Sequence, residues 1–281
     1  MMRLSLVSAA YRSRRLFSSA SATRAFASWS FATGLESIPH PEKKRGEDAA
    51  FCTPTAVGVA DGVGGWARKG IDSGAYSRML MESCEASALA NPTERLTEAY
   101  NATKAHTRVP GSSTACLIHL DGATIHTANL GDSGFMLCRE AADGSWELVS
   151  SSPSQCHYFN CPFQLGLGSR DTPDHADTSS LSVMHNDLVL VATDGLFDNL
   201  SPAEILSLLG HISTESVARN QTVDAKMQFL AATVAQVAHE VAKSPTHLTP
   251  FSLAARKAGY KGTMGGKMDD ITVVAALVQH N

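Results

Sequence analysis

The residues best suited to chemistry are acidic, and they recur at the ends of apolar segments. Asp61 follows the run "TAVGVA" and precedes the glycine-rich turn "GVGG". Asp132 closes "ANLGD", Asp194 closes "LVLVATD", and Asp269 with Asp270 stands directly before "ITVVAALV". Each one alone fits an ordinary turn, because Asp-Gly is a common turn signal and aspartate tolerates unusual turn dihedrals. Their recurrence at strand ends favours a shared site.

Carboxylates gathered at one rim of a sheet would need cations between them, since like charges a few ångströms apart repel strongly. Mg²⁺ and Mn²⁺ prefer oxygen ligands, and the absence of thiolate or imidazole from these motifs disfavours zinc. Two such ions roughly 3.5–4 Å apart could hold a bridging water, lower its pKa toward about 7, and clamp a phosphate. Gly62, Gly64 and Gly65 would let backbone carbonyls and an anion approach closely.

Short segments rich in β-branched residues predict the strands that position these acids. They lie at 55–61, 113–120, 123–132, 134–140, 146–151, 187–194 and 271–278. The run at 187–194 is continuously apolar, so we expect both of its faces to be covered. Apolar spacing and capping signals predict helices at 72–90, from Asn91, from Ser201 and at 223–243. Hairpin-linked strands indicate antiparallel pairing, and helices do not follow every strand. We therefore expect a sheet core with helices outside it, as one domain over residues 34–281.

Composition narrows the functional classes. The chain has 281 residues, is 43% hydrophobic and carries a formal net charge of −4, which suits one globular domain or two small ones. Without a Lys/Arg block we expect no nucleic-acid partner, and no apolar run approaches the roughly 20 residues of a transmembrane segment. The 6 cysteines contain no C-x-x-C pair, so we expect reduced, structural thiols in an intracellular compartment.

The N-terminal segment differs from the rest of the chain. It contains Arg3, Arg12, Arg14, Arg15 and Arg24 among many serines, with no acidic residue before Glu36. This composition is typical of an organelle transit peptide, and a disordered basic tail is the alternative. We expect residues 1–33 to be such a leader, which directs the chain to the mitochondrion.

Six motifs occur in an order that resembles one family. They are "GED" (46–48), "VADGVGGW" (59–66), "GSSTAC" (111–116), "ANLGDSG" (128–134), "ATDGLFD" (192–198) and "DDITVV" (269–274). Together they are similar to the metal-dependent protein phosphatases of the 2C type. "DGVGGW", with "QCHYFNCPFQLG" at 155–166, is similar to the mitochondrial branch of that family. The resemblance and the leader favour the mitochondrial matrix, with the plastid as the alternative.

The resemblance implies an α+β fold, a four-layer α-β-β-α sandwich of two antiparallel sheets flanked by helices. It implies hydrolysis of phosphoserine and phosphothreonine in proteins by a water that bridges two Mn²⁺ or Mg²⁺ ions, with a third, weaker ion as an option. By position it also assigns the site residues. Asp61 matches the bridging ligand, Gly62 a carbonyl ligand, Asp194 and Asp269 terminal ligands, Glu47 a ligand reached through water, and Asp132 with Asp198 the pair for the third ion; Asp270 matches a supporting group.

Two positions depart from the family pattern. Val63 stands where many relatives have a histidine that is a candidate general acid. Lys43 stands where relatives often have an arginine that holds the phosphate, with Arg45 two residues later. Lysine pairs with phosphate as a point charge but lacks the two-pronged contact of arginine. Lys43 and Arg45 are therefore both candidate phosphate-binding residues.

The leading hypothesis is a monomeric serine/threonine phosphatase acting on phosphoproteins, with Asp61, Asp194 and Asp269 as its catalytic acids. One alternative is a catalytically weak scaffold of the same fold, suggested by Val63 and Lys43. Another is a phosphoesterase acting on small molecules. A basic strip shortly before the last strand could attract an acidic substrate, although a solvated surface is the favoured interpretation. The strip comprises Arg256, Lys257, Lys261 and Lys267.

Overall fold

The computed structural model describes residues 28–106, 110–217 and 221–280. Its strands are β1 (Trp29–Ile38), β2 (Asp48–Cys52), β3 (Ala56–Asp61), β4 (Ser112–Ser113), β5 (Ala115–Asp121), β6 (Thr124–Leu130), β7 (Gly134–Glu140), β8 (Trp146–Ser151), β9 (Cys156–Tyr158), β10 (Cys161–Pro162), β11 (Leu165–Gly166), β12 (Asp177–Ser182), β13 (Leu188–Ala192) and β14 (Ile271–His280). Its helices are α1 (Ser73–Ala86), α2 (Pro92–Ala105), α3 (Asp194–Phe197), α4 (Pro202–Val217), α5 (Val223–Ala242) and α6 (Pro250–Lys257). Short 3₁₀ turns lie at Gly64–Lys69 and Pro173–His175.

Two five-stranded sheets form the centre of the fold. One has the order β1-β14-β13-β7-β8 and the other the order β12-β6-β5-β3-β2. Every strand pairing within these two sheets is antiparallel. Helices α4 and α5 pack on the first sheet, and α1 and α2 pack on the second. The predicted four-layer α-β-β-α sandwich is confirmed.

Strand β13 shows how the layers are held together. Its residues Leu188 and Leu190 point toward the layer of α4 and α5. The intervening Val189 and Val191 point into the space between the two sheets. Successive side chains of a strand alternate between faces, so a strand covered on both faces must be apolar throughout. The continuous apolar run that we interpreted as a fully covered strand is therefore confirmed.

The predicted capping signals also mark real helix starts. The Asn91 side-chain oxygen accepts hydrogen bonds from the backbone of Thr93 at 2.9 Å and of Glu94 at 3.2 Å. At the start of α4, the Ser201 backbone and hydroxyl both donate to the Glu204 carboxylate, at 2.8 and 2.6 Å. These contacts satisfy donors that the first turn of a helix leaves free.

The domain boundary at residue 34 needs correction, because β1 begins at Trp29 and pairs with β14 along its whole length. Phe31 is only 7% exposed and lies between the two sheets. Composition alone assigned residues 29–33 to the leader, since the partner strand that orders them lies at the far end of the chain. Residues 1–27 of the predicted leader lie outside the described residues.

Two further features of the fold are the state of the cysteines and the character of the helices. All of the cysteines are free, and Cys84, Cys116 and Cys138 are buried, although Cys156 is exposed. Among the helices of the described segments, none combines the length and the apolar character needed to cross a membrane.

Candidate active site

Strand register brings the acidic motifs to one edge of the sandwich. In the second sheet, Asp48 at the start of β2 lies opposite Asp61 at the end of β3. In the first sheet, β13 ends where its antiparallel partner β14 begins, with Ala192 opposite Val273. The Thr193 hydroxyl donates to Asp48 at 2.8 Å and so joins the two sheets at this edge. We call this edge the acidic rim: Glu47, Asp48, Asp61, Asp132, Asp194, Asp198, Asp269 and Asp270.

The rim places Asp61 among several other carboxylates. Burial raises the pKa of Asp61 well above its ordinary value, and repulsion from Asp194, Asp48, Asp269 and Asp132 raises it further. Such repulsion requires the charges to be close together. The structure thus brings together the predicted catalytic acids, which lie at separate strand ends in the sequence. Their role as metal ligands stays a prediction.

Lys267 lies inside the rim and not on a solvated face. Its ammonium nitrogen is 2.5 Å from Asp194 Oδ2, 2.7 Å from Asp198 Oδ2 and 3.2 Å from Asp269 Oδ2. Burial lowers the pKa of Lys267, but attraction to the same acids outweighs it and raises the pKa well above its ordinary value. The favoured interpretation of the basic strip is therefore wrong for Lys267, whose side chain is 17% exposed.

Lys43 also reaches the rim. Its ammonium nitrogen lies 2.6 Å from Glu47 Oε2 and 2.7 Å from Asp270 Oδ2. Burial lowers the pKa of Lys43, whereas its hydrogen bonds to Asp270 and Glu47 raise it, and the net shift is upward. Arg45, the other candidate phosphate-binding residue, is exposed. Of the two candidates, Lys43 is the one that touches predicted site residues.

Asp270 supports the neighbouring loop, as the resemblance implies. Its carboxylate accepts hydrogen bonds from the backbone of His40 at 2.6 Å and of Glu47 at 2.8 Å. Its side chain is 2% exposed. Because both oxygens are engaged by protein donors, Asp270 fixes Glu47 in place.

Asp48 is a rim residue that the sequence analysis did not single out. Burial raises its pKa to about 8, helped by repulsion from Asp270 and opposed by the hydrogen bond from Thr193. The signal was present in the motif "GED", where Asp48 directly follows Glu47. Strand alternation alone suggests that only one of two adjacent residues faces a site, but the start of β2 leaves both at the rim.

Two glycines of the acidic motifs are required by close packing of the backbone. A Cβ at Gly62 would lie 2.4 Å from the Ser73 carbonyl oxygen at the start of α1. A Cβ at Gly195 would lie 2.0 Å from the Asp270 carbonyl oxygen. These approaches hold α1 and α3 against the rim, a reason for glycine beyond the access to metal and anion that the sequence suggested.

The rim has the chemistry of a site for hard divalent cations. Asp48 Oδ1, Asp132 Oδ1 and Asp194 Oδ1 are buried and have no hydrogen-bond partner among the described residues. A buried carboxylate oxygen without a partner is costly, and oxygen donors are those that Mg²⁺ and Mn²⁺ prefer. Within the described segments, no three His, Cys, Asp or Glu side chains have the spacing of a formed metal site; Lys43 and Lys267 lie between the acids instead. The chemistry of these oxygen donors fits the ions.

Asp132 and Asp198, the predicted pair for a third ion, both lie on the rim. Burial raises the pKa of Asp132 well above its ordinary value, with repulsion from Asp194 and Asp198 adding to it. Burial also raises the pKa of Asp198, to about 7, although the Lys267 ammonium opposes the rise. The structure therefore brings both residues to the acidic rim, where Lys267 contacts Asp198. Their role as ligands of a third ion stays a prediction.

Comparisons with known proteins identify relatives of this chain by sequence. No family model matches the sequence. The protein phosphatase PTC7 homologs of Homo sapiens and Xenopus laevis are each 40% identical over 255 residues, which cover 83% of this chain and 79% and 81% of those proteins. The probable protein phosphatase 2C 55 of Arabidopsis thaliana is 42% identical over 86% of this chain, and the chain spans 50% of that protein.

Solved structures share the same architecture. The photosystem II phosphatase PBCP is 30% identical, with a TM-score of 0.75 over 89% of this chain and 99% of that one. The catalytic domain of the serine/threonine phosphatase PstP, solved with 2 manganese ions, is 16% identical and shares the fold, with a TM-score of 0.55 over 90% of this chain and 100% of that one.

The chain has a two-sheet sandwich whose acidic motifs meet at one edge, and its relatives are protein phosphatases. Together these findings define it as a metal-dependent serine/threonine protein phosphatase. Within that class, the chain belongs to the 2C-type protein phosphatases related to PTC7. The family resemblance predicted from the six ordered motifs is confirmed.

Proposed function

We propose that this chain hydrolyses phosphoserine and phosphothreonine in proteins with two Mn²⁺ or Mg²⁺ ions held on the acidic rim. The observation that carries the proposal is the buried Asp194 Oδ1, which has no hydrogen-bond partner among the described residues although it lies among converging carboxylates. The PstP structure, which has the same fold, contains 2 manganese ions, and this supports the proposed ion number.

The predicted metal ligands have distinct roles in this proposal. Asp61 would bridge the two ions, with the Gly62 carbonyl and Glu47 serving one ion and Asp194 with Asp269 serving the other. When bound, two such ions supply an activated water and offset the charge of the phosphate. The chain itself must then keep the carboxylates ionised and aligned, which the hydrogen bonds of Thr193 and Asp270 at the rim support.

Lys43 is our proposed phosphate-binding residue at the inner part of the site. Its ammonium group already lies at the rim and would exchange a carboxylate partner for a phosphate oxygen. Arg45 is exposed and only two residues away, so it would meet the phosphorylated segment from the outside. Val63 has no ionisable proton, so another group must donate the proton to the leaving serine or threonine oxygen.

A phosphopeptide assay tests this function. The wild-type chain should release phosphate with Mn²⁺ and lose that activity in EDTA. Asp194→Asn should lower kcat/KM by about 100-fold or more, the scale for removing a group that stabilises developing charge. The matched control is Asp224→Asn, which removes an exposed carboxylate at the start of α5. Activity that survives both EDTA and Asp194→Asn would refute the proposal.

The same assay separates the alternatives. A phosphoesterase acting on small molecules would prefer nucleotides or other small phosphate esters to the phosphopeptide under identical metal conditions. A catalytically weak scaffold would bind Mn²⁺ poorly and release no phosphate from either substrate. The convergence of all the predicted rim acids supports the enzyme over the scaffold.

We also propose that the chain acts as a monomer in the mitochondrial matrix, with the plastid as the alternative compartment. The arginine- and serine-rich composition of the leader supports this placement. Because β1 begins at Trp29, cleavage of the leader should fall before that residue. Microscopy of the full chain fused to a C-terminal fluorescent protein, followed by N-terminal sequencing of the purified product, tests both the compartment and the cleavage point.

A further inference from the structure

A buried ammonium group lies beside the pair of acids that the motif order assigns to a third metal ion. We propose that Lys267 takes the place of that third ion, so that the rim binds two divalent cations per chain and not three. The inference rests on the proposed two-ion function, because it concerns the same rim. It adds to that function the statement that one cation of the rim is a lysine side chain of the protein itself.

The contacts of Lys267 are those of an internal cation. Its ammonium nitrogen contacts Asp194 Oδ2 at 2.5 Å and Asp198 Oδ2 at 2.7 Å, which are charge-assisted hydrogen bonds of the strong kind. The nitrogen also lies 5.3 Å from the ring centroid of Phe251, over the aromatic face. It lies 3.2 Å from Asp269 Oδ2 as well. Lys267 therefore joins two acids assigned to the two-ion centre, Asp194 and Asp269, to one assigned to the third ion.

The backbone around Lys267 is fixed in a way that a surface lysine does not need. The side chain of Asn199, which is fully buried, accepts a hydrogen bond from the Lys267 backbone N–H at 2.9 Å. The same Asn199 side chain donates to the Lys267 carbonyl at 2.9 Å and to the Gly195 carbonyl at 2.9 Å. One buried amide thus holds the lysine in register with the α3 turn that carries Asp194 and Asp198.

The carboxylate oxygens of Asp194 and Asp198 are divided between the Lys267 ammonium group and a divalent metal ion. Asp194 gives Oδ2 to Lys267, while its Oδ1 is buried and has no hydrogen-bond partner in the described part of the chain. The free oxygen is therefore the one available to a metal of the two-ion centre. Asp198 gives Oδ2 to Lys267, and a divalent ion placed there would lie within a few ångströms of an ammonium group and be repelled by it.

Counting bound Mn²⁺ on the full-length chain tests the inference. Metal-stripped protein is titrated with Mn²⁺, and bound ions are counted by electron paramagnetic resonance of the free ion and by calorimetry. The wild type should bind two ions. Lys267→Met should bind about one additional ion, because the acids then lack their internal cation. Lys267→Arg, which keeps the charge, should still bind two.

The matched control is Lys261→Met, which removes an exposed lysine of the same connection and should leave the count at two. Adding Asp198→Asn to Lys267→Met should remove the additional ion. A wild-type count of three would overturn the inference, as would a folded Lys267→Met variant that still binds two.

Stability in EDTA provides a second readout. Removing the cation leaves Asp194 and Asp198 unpaired, so Lys267→Met should lower the midpoint of thermal unfolding on the order of 10 °C in EDTA, and Mn²⁺ should recover most of it. If Lys267→Met does not fold without metal, Lys267→Gln and the wild-type count decide the question. Failure of phosphopeptide hydrolysis with two bound ions would refute the proposed function and leave this inference standing.

Discussion

The rim predicts an unusual dependence of stability on pH in the absence of metal. Burial and the neighbouring Asp270 raise the pKa of Asp48 from 3.8 to about 8, and burial with the Asp194 charge raises that of Asp198 to about 7 in spite of Lys267. An acid whose pKa is higher in the folded state than in the unfolded chain favours folding while it is protonated. Its contribution is complete below pH 3.8 and is lost as the pH rises to the folded-state value.

Asp48 alone sets the scale of the effect. Each pKa unit corresponds to about 1.4 kcal/mol, so a rise from 3.8 to about 8 costs the metal-free fold on the order of 5 kcal/mol at pH 8. For a chain of this size, that free energy lowers the thermal midpoint by about 10 °C or more. Asp171 and Glu204 act in the opposite direction, because hydrogen bonds outweigh burial and lower their pKa values. Their loss is confined to acidic pH. Burial also lowers the pKa values of His119 and His239 below their ordinary value of 6.5, so these two residues oppose the fall up to about that pH. The clean window is therefore pH 7–8.

Thermal unfolding in EDTA and in Mn²⁺, measured at several pH values from 7 to 8, tests this reasoning. In EDTA the midpoint should fall as the pH rises. In Mn²⁺ the fall should be small or reversed, since coordination favours the ionised carboxylates. Asp48→Asn should be more stable than the wild type at pH 8 in EDTA and should lose much of the pH slope, whereas Asp224→Asn should follow the wild type. A flat or rising midpoint for the wild type in EDTA would refute the reasoning.

Three further predictions concern individual side chains. Gly62→Ala should lower the free energy of unfolding by about 1–3 kcal/mol in urea denaturation, because its Cβ would lie 2.4 Å from a backbone oxygen of α1; an unchanged midpoint would contradict this. Arg139→Met should lower the free energy of unfolding by about 3 kcal/mol in the same urea denaturation, since it removes both hydrogen bonds, at 2.7 and 2.6 Å, to the buried Asp187. The phosphatase activity per folded molecule should not change. Lys43→Met should weaken inhibition by inorganic phosphate about 10-fold, and Lys43→Arg should restore it; equal inhibition of all three proteins would exclude a phosphate role.

The sequence predicted correctly those helices and strands whose signals lie within a few neighbouring residues. The apolar run that became β13 specified a strand covered on both faces, and its side chains alternate between the two sides as that interpretation requires. The Asn91 cap and the pair of Ser201 and Glu204 marked helix starts that the structure retains. Such features depend on residues within one or two turns of each other, and the sequence displays them directly.

Contacts between distant parts of the chain escaped prediction. Strand β1 is ordered by β14, which lies at the other end of the chain. Its first residues resemble the preceding serine-rich leader in composition, so no local signal separates the two. Asp48 was missed for a related reason. The motif "GED" contains it, but the motif does not show the pairing with Asp61 and the contact with Thr193 that place it at the rim.

The two rim lysines show what a sequence can indicate about basic residues near acidic motifs. Lys43 stands four residues before Glu47, and Lys267 stands two residues before Asp269, whereas the exposed Lys261 lies farther from any acidic motif. Carboxylates that converge in a partly buried place must be neutralised by protons, metals or internal cations. A lysine in the loop that delivers such a carboxylate is carried to the same place by the same backbone. One such lysine is therefore expected to be buried once the acids are predicted to converge. Its position along the loop does not identify it, because Lys44 stands closer to Glu47 than Lys43 does and is nevertheless exposed.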